Sequence, residues 1–140
     1  MQHISTTPLS ADTLQQAYQA NQRDFASANL TDMDLQHADL KGCDLSYADL
    51  TNANLSHTNL RGVDLSYACL HKANLTQCDL RGAMLIGTDL RDAVLTGAML
   101  QEADYSLTET HFPSEFDIAA AKMCAIRVDS RRITNRKSAR

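Results

Sequence analysis

At 140 residues the chain is long enough for one domain, and a 44% hydrophobic content with a net charge of −4 excludes a disordered, collagenous or strongly basic class. Tryptophan is absent and only 5% of residues are aromatic, which suits a narrow aliphatic core. No stretch approaches the ~20 apolar residues needed to span a bilayer. MQHISTTPLSADT lacks a basic and an apolar region of the kind a secretory signal carries, so a cytoplasmic location is expected.

The first predicted element is a helix. Ser10 is a suitable N-cap ahead of ADTLQQAYQA, and Leu14, Ala17 and Tyr18 share one face. Residues 1–24 are read as an N-terminal helical cap that closes whatever follows Phe25.

From Leu30 to Leu100, fifteen leucines stand five residues apart without a miss, and Phe25 and Tyr105 extend the register at both ends. On a helix, five residues turn ~500°, so successive leucines define no face. On a flat strand an odd spacing alternates sides. The pattern keeps one side only if the chain turns a corner every five residues and wraps around the leucines as a solenoid. Two residues before each register position, ten of the sixteen residues from Ala28 to Ala103 are alanine, as close packing beside an inward leucine requires. One residue before, twelve of the sixteen from Asn29 to Asp104 are Asp or Asn, which hydrogen-bond nearby backbone and favour turns. Cys69, Met84, Val94 and Met99 depart from that rule.

The number of pentads per coil is also legible. Residues 41–60 and 61–80, offset by twenty, agree at eleven of twenty positions, whereas offsets of fifteen and twenty-five give seven and six. Twenty residues make four pentads and a square section, so 25–108 holds about four coils, a stub ~20 Å long at ~4.8 Å per coil. Charge is uneven: residues 25–105 carry five basic against eleven acidic side chains, or −6, while 122–140 carry seven basic against Asp129, or +6.

After the coils, Phe112 and Phe116 are expected over the open end, with Asp117 capping a short helix at 118–124. Residues 109–126 are read as a C-terminal cap and 127–140 as a basic disordered tail. The four cysteines lack metal spacing and are read as free thiols.

Stacking residues twenty apart produces outward columns. One holds Asp24, Asp44, Asp64 and Asp104, broken by Met84, with Tyr47 and Tyr67 on the same face. Stacked aromatics rimmed by charge are the usual anchors of protein interfaces, and Tyr47, Tyr67, Asp44 and Asp64 form the candidate interface. Lys41, Arg61 and Arg81 form a basic ladder, each followed by glycine. With Arg131, Arg132, Arg136 and Lys137 of the tail they are the candidate cationic residues. His37 and His57 stack without an adjacent carboxylate or thiolate, which makes a poor metal site. Neither cofactor nor metal is expected. No phosphate loop, H-E-x-x-H or G-x-S-x-G occurs, and carboxylates on a convex, leucine-filled rod have no cleft in which to act, so catalysis is not expected.

The run of ANL, ADL and CDL pentads resembles the pentapeptide-repeat family. That resemblance implies an all-β solenoid, a right-handed quadrilateral β-helix, here with short helical caps at both ends. The flanks LQQAYQANQRDF and THFPSEFDIAAAKM are similar to those of short cyanobacterial members. The expected function is a non-enzymatic scaffold that presents a rigid flat side to another protein, as monomer or homodimer. The resemblance also implies one alternative, mimicry of duplex DNA toward type II topoisomerase. Another is weak nucleic-acid or anionic-surface binding through the tail.

Overall fold

One backbone corner, repeated every five residues, generates the whole architecture. In the computed structural model, which describes residues 9–129 together with 132 and 133, all sixteen positions two residues past the register side chain, from Ser27 to Glu102, have φ between 57° and 75°. The left-handed region is costly for residues other than glycine, yet eleven of the sixteen are not glycine. Three hydrogen bonds impose the conformation. In each pentad the register carbonyl accepts from the amide three residues on, as in Ala48 N–H to Leu45 O at 3.1 Å. In the coils that have a partner above, the corner amide itself donates to the next coil, as in Tyr47 N–H to Ser66 O at 2.9 Å. The Asx side chain holds the third contact: Asp44 Oδ1 accepts from Ser46 N–H at 2.9 Å and from Ser46 Oγ at 2.6 Å. This is why Asp and Asn dominate the position.

Coils pair in parallel with a strict twenty-residue offset, from Asp24 with Asp44 to Met84 with Asp104. The chain is a right-handed quadrilateral β-helix. Cys69, Met84, Val94 and Met99 keep the register, bridging Asp49, Asp64, Asn74 and Asp79. What they forgo is only the side-chain bond to the corner. Leucines from Leu30 to Leu90, other than Leu35 at 3%, are 0% exposed in their solid core. Thr58 and Thr88 replace inward alanines, and each buried hydroxyl donates to a carbonyl of the preceding coil, Leu35 O at 2.8 Å and Leu65 O at 2.7 Å.

Helix α1, Ala11–Gln19, covers the first coil as expected, with Ser10 Oγ accepting from Thr13 N–H at 3.0 Å. Leu14 closes the core against Phe25. The helix and its flank also supply donors to carbonyls that a preceding coil would otherwise satisfy. Leu9 N–H reaches Asn29 O at 3.3 Å, Gln15 Nε2 reaches Asp39 O at 3.3 Å and the Tyr18 hydroxyl reaches Lys41 O at 3.0 Å.

The other end departs from expectation, because no helix forms at 118–124. Asp117 Oδ1 does accept from Ala120 N–H at 3.1 Å, but residues 118–122 make only a turn, since a helical nucleus this short is costly. The chain extends instead: β1, Asp104–Ser106, pairs in parallel with β2, Cys124–Ile126. Two extra residues enter between Asp104 and His111, so Asp89 bridges His111 twenty-two residues on. Thr110 then takes the role of Thr58 and Thr88, donating to Leu85 O at 2.6 Å. Phe112 follows it in the register position, edge-on to Tyr105 at 5.6 Å, with Phe116 stacked on it at 5.1 Å. The detour leaves part of the last coil without a partner strand. Among the described residues, Leu95, Gly97 and Leu100 have no acceptor for the amides that their counterparts Leu75, Gln77 and Leu80 donate upward.

Where a disordered tail is expected from 127, β3, Val128–Asp129, pairs antiparallel with β4, Arg132–Ile133, and residues 134–140 lie outside the described residues. Arg131, Arg136 and Lys137 lie outside the described residues, as does the side chain of Arg132.

Candidate interaction surface

The four flat sides differ because each gathers its own set of outward residues. Side one carries the column Asp24, Asp44, Asp64, Met84 and, at the corner, Tyr47 and Tyr67. The tyrosine rings stack with centroids 5.3 Å apart and 16° between planes. Tyr67 is anchored from two directions. Its ring lies over Gly87, where any β-carbon would collide with it, and its hydroxyl donates to Glu109 Oε2 at 2.9 Å. That carboxylate contact, chiefly, raises the Tyr67 pKa above the ordinary tyrosine value and keeps the hydroxyl protonated. Tyr47 rests on this fixed platform and is 63% exposed, a rare state for a large aromatic in this molecule.

Neither Glu109 nor Gly87 stands out in the sequence. Gly87 lies twenty residues after Tyr67, so the column arithmetic is the signal that could find it. Glu109 reaches Tyr67 only through the two-residue detour, which nothing in the periodicity announces.

The basic ladder lies on the side that precedes this one. Arg81 is engaged by its own coil, with Nε and Nη2 on Asp79 at 2.8 and 2.7 Å, and Arg61 Nε stands 4.0 Å from the same carboxylate. The Arg81 bonds lower the Asp79 pKa. Of the three, only Lys41 has no ion pair among the described residues. Arg91 grips Asp89 in the same manner, which pulls that carboxyl down to about 2. Gly42, Gly62 and Gly82 have φ of 64–75° and open space within 4 Å of where a β-carbon would stand, while equivalent corners accept Tyr, His, Asn and Lys. The corner conformation therefore does not by itself require glycine there.

His37 and His57 stack at 4.9 Å, and among the described residues no group of three His, Cys, Asp or Glu could hold a metal ion. All four cysteines are free, and burial pushes the Cys43 thiol up to about 11 and that of Cys78 up to about 12. Ile86 is buried at 1% exposure, whereas Val94 is 46% exposed. The expectation of a molecule without clefts fails: an open cleft of about 420 Å³ lies between Ser106–Thr108 and Ala125–Arg127. No described helix is long and apolar enough to cross a membrane.

Known proteins share this architecture. The family described as Pentapeptide repeats matches in eight copies, over residues 24–62, 43–82 and 73–104. A crystallised pentapeptide repeat protein from Nostoc PCC 7120 is 49% identical, covering 89% of this chain and 99% of that one with a TM-score of 0.83. A pentapeptide repeat protein from the thylakoid lumen of Arabidopsis thaliana is 36% identical over 60% of this chain and 55% of its own, with a TM-score of 0.45. HetL of Nostoc PCC 7120, described as involved in regulating heterocyst differentiation, is 32% identical over 75% of this chain and 57% of its own, with a TM-score of 0.33. No curated protein matches the chain.

Proposed function

Because the chain belongs to the pentapeptide-repeat family, we propose that it works without catalysis, as a rigid module whose Tyr47–Tyr67 corner binds another protein. The observation that carries this reading is the exposed Tyr47 ring, held on a Tyr67 platform that Gly87 and Glu109 fix in place. Interfaces take much of their energy from a few aromatic anchors that lose little entropy on binding. An anchor already stacked in the free protein loses less still.

The test is affinity capture from the source cell with the native chain and with Tyr47→Ser. The expected result is loss of one or more captured proteins at unchanged thermal stability. An identical set of captured proteins would remove Tyr47 as the anchor.

One observation favours a second reading. The carboxylates of Asp24, Asp44 and Asp64 recur once per coil along one side, as charges on a phosphate backbone would. Mimicry of duplex DNA toward a type II topoisomerase is tested by a supercoiling assay, and no effect at micromolar protein would dismiss it. Met84 interrupts the column between Asp64 and Asp104, which weakens the likeness and places this reading second.

A further inference from the structure

We propose that the Tyr47 corner recognises an arginine side chain on its partner, an inference that rests on the protein-interface reading above and specifies its chemistry. Three observations converge on it. First, among the described residues the ring stacked on Tyr47 is Tyr67, and Tyr47 stays 63% exposed. One coil below, the same corner position is Ser27, exposed and too small to cover the other face, so the column of rings ends in an open slot.

Second, the two sides that meet at this corner carry Asp24, Asp44, Asp49 and Asp64, carboxylates that have no ion pair among the described residues. The ion pairs there fall on Asp79, Asp89 and Asp92, and none involves Asp24, Asp44, Asp49 or Asp64. In each of these four, Oδ1 is engaged by the amide two residues on, at 2.9–3.0 Å. The side chains are thus locked in orientation while Oδ2 remains available to an incoming donor.

Third, the chain already uses this pairing internally. The Arg23 guanidinium carbon sits 3.6 Å from the centroid of the Tyr18 ring. A guanidinium is flat and weakly hydrated, so it can slide against a ring face while its edge donates to a carboxylate. A lysine ammonium satisfies the charge but not the stack. A neutral aromatic satisfies the stack but leaves the carboxylates uncompensated.

The probes are two disordered peptides of equal length and charge, (Gly-Arg)4 and (Gly-Lys)4, titrated into the full chain with ring resonances of Tyr47 followed by NMR. The arginine peptide is expected to bind at least tenfold more tightly and to shift the Tyr47 ring signals. Tyr47→Leu is expected to reduce binding of the arginine peptide to that of the lysine peptide, and Tyr47→Phe to preserve it. The pair Asp44→Asn and Asp64→Asn should weaken both peptides. Equal binding of the two peptides, or arginine binding indifferent to Tyr47→Leu, would overturn the inference. If captured cell proteins still depend on Tyr47 in that case, the interface reading survives and only its arginine chemistry falls. If capture is equally indifferent, both fall.

Discussion

Leu65 and Leu95 share residue type, pentad position and backbone corner, and differ in what lies above them. Leu65 is 0% exposed, packed between coils whose spacing is fixed by hydrogen bonds such as Leu65 N–H to Met84 O at 2.8 Å. Truncation to alanine there removes methyl groups from a site that cannot collapse, because shrinking the void would break the ladder on both sides. Leucine-to-alanine changes in cores cost about 2.7–5.0 kcal/mol, and a rigid site belongs in the upper half, about 4 kcal/mol. Leu95 is only half-buried, with no described strand paired above it, and a cost of about 2 kcal/mol follows from the smaller area returned to water. For 140 residues the unfolding entropy is about 0.3 kcal/mol/K, so the two variants should melt about 13 °C and about 7 °C below the native chain. Thermal unfolding followed by circular dichroism measures both. Equal shifts would refute the argument that enclosure between two paired coils sets the cost.

Three further outcomes are expected. In hydrogen exchange, the amides of Leu95, Gly97 and Leu100 should exchange far faster than those of Leu75, Gln77 and Leu80, which donate to Val94, Thr96 and Met99 at 2.7–2.9 Å; equal protection would mean that the last coil has a partner strand after all. The Asp89 carboxyl, whose folded pKa of about 2 lies below the unfolded value, contributes stability that is fully present above about pH 4 and lost as pH falls toward 2. Arg91→Gln should flatten that acid limb in melting curves taken between those values, and an unchanged limb would show the pair to be inert. A thiol reagent at pH 8 should label Cys69 and Cys124 in the folded chain and reach Cys43 and Cys78, held up to about 11 and about 12, only on unfolding; mass spectrometry of the labelled peptides decides.

What can be read from the sequence, and what cannot, divides along a physical line. The coils are legible because each leucine, each inward alanine and each Asx obeys a purely local rule repeated many times, and the columns follow from the offset of twenty. The tyrosine and histidine stacks are consequences of that arithmetic. The departures at Cys69, Met84, Val94 and Met99 do not disturb the register, since inter-coil bonds hold the backbone when one side-chain contact is missing. The C-terminal cap misleads because Ile118–Met123 carries good helix formers, and propensity says nothing of β1, whose free edge offers the chain a better partner. Glu109 is invisible for a related reason: its contact with Tyr67 spans forty-two residues and depends on a phase shift that no local motif encodes.

That phase shift exposes a rule about how such a chain can change. Its sides exist only as long as every rung arrives in step, and from Asp24 to Asp104 every rung arrives at a spacing of twenty. Adding or deleting one pentad would leave the leucine core intact yet rotate everything downstream by a quarter turn, bringing the acidic column round to a neighbouring side. Growth by whole coils lengthens the surface; growth by single pentads scrambles it. The detour after Tyr105 acts at the last coil alone: it keeps the rung from Asp89 to His111 and leaves Leu95, Gly97 and Leu100 without acceptors among the described residues.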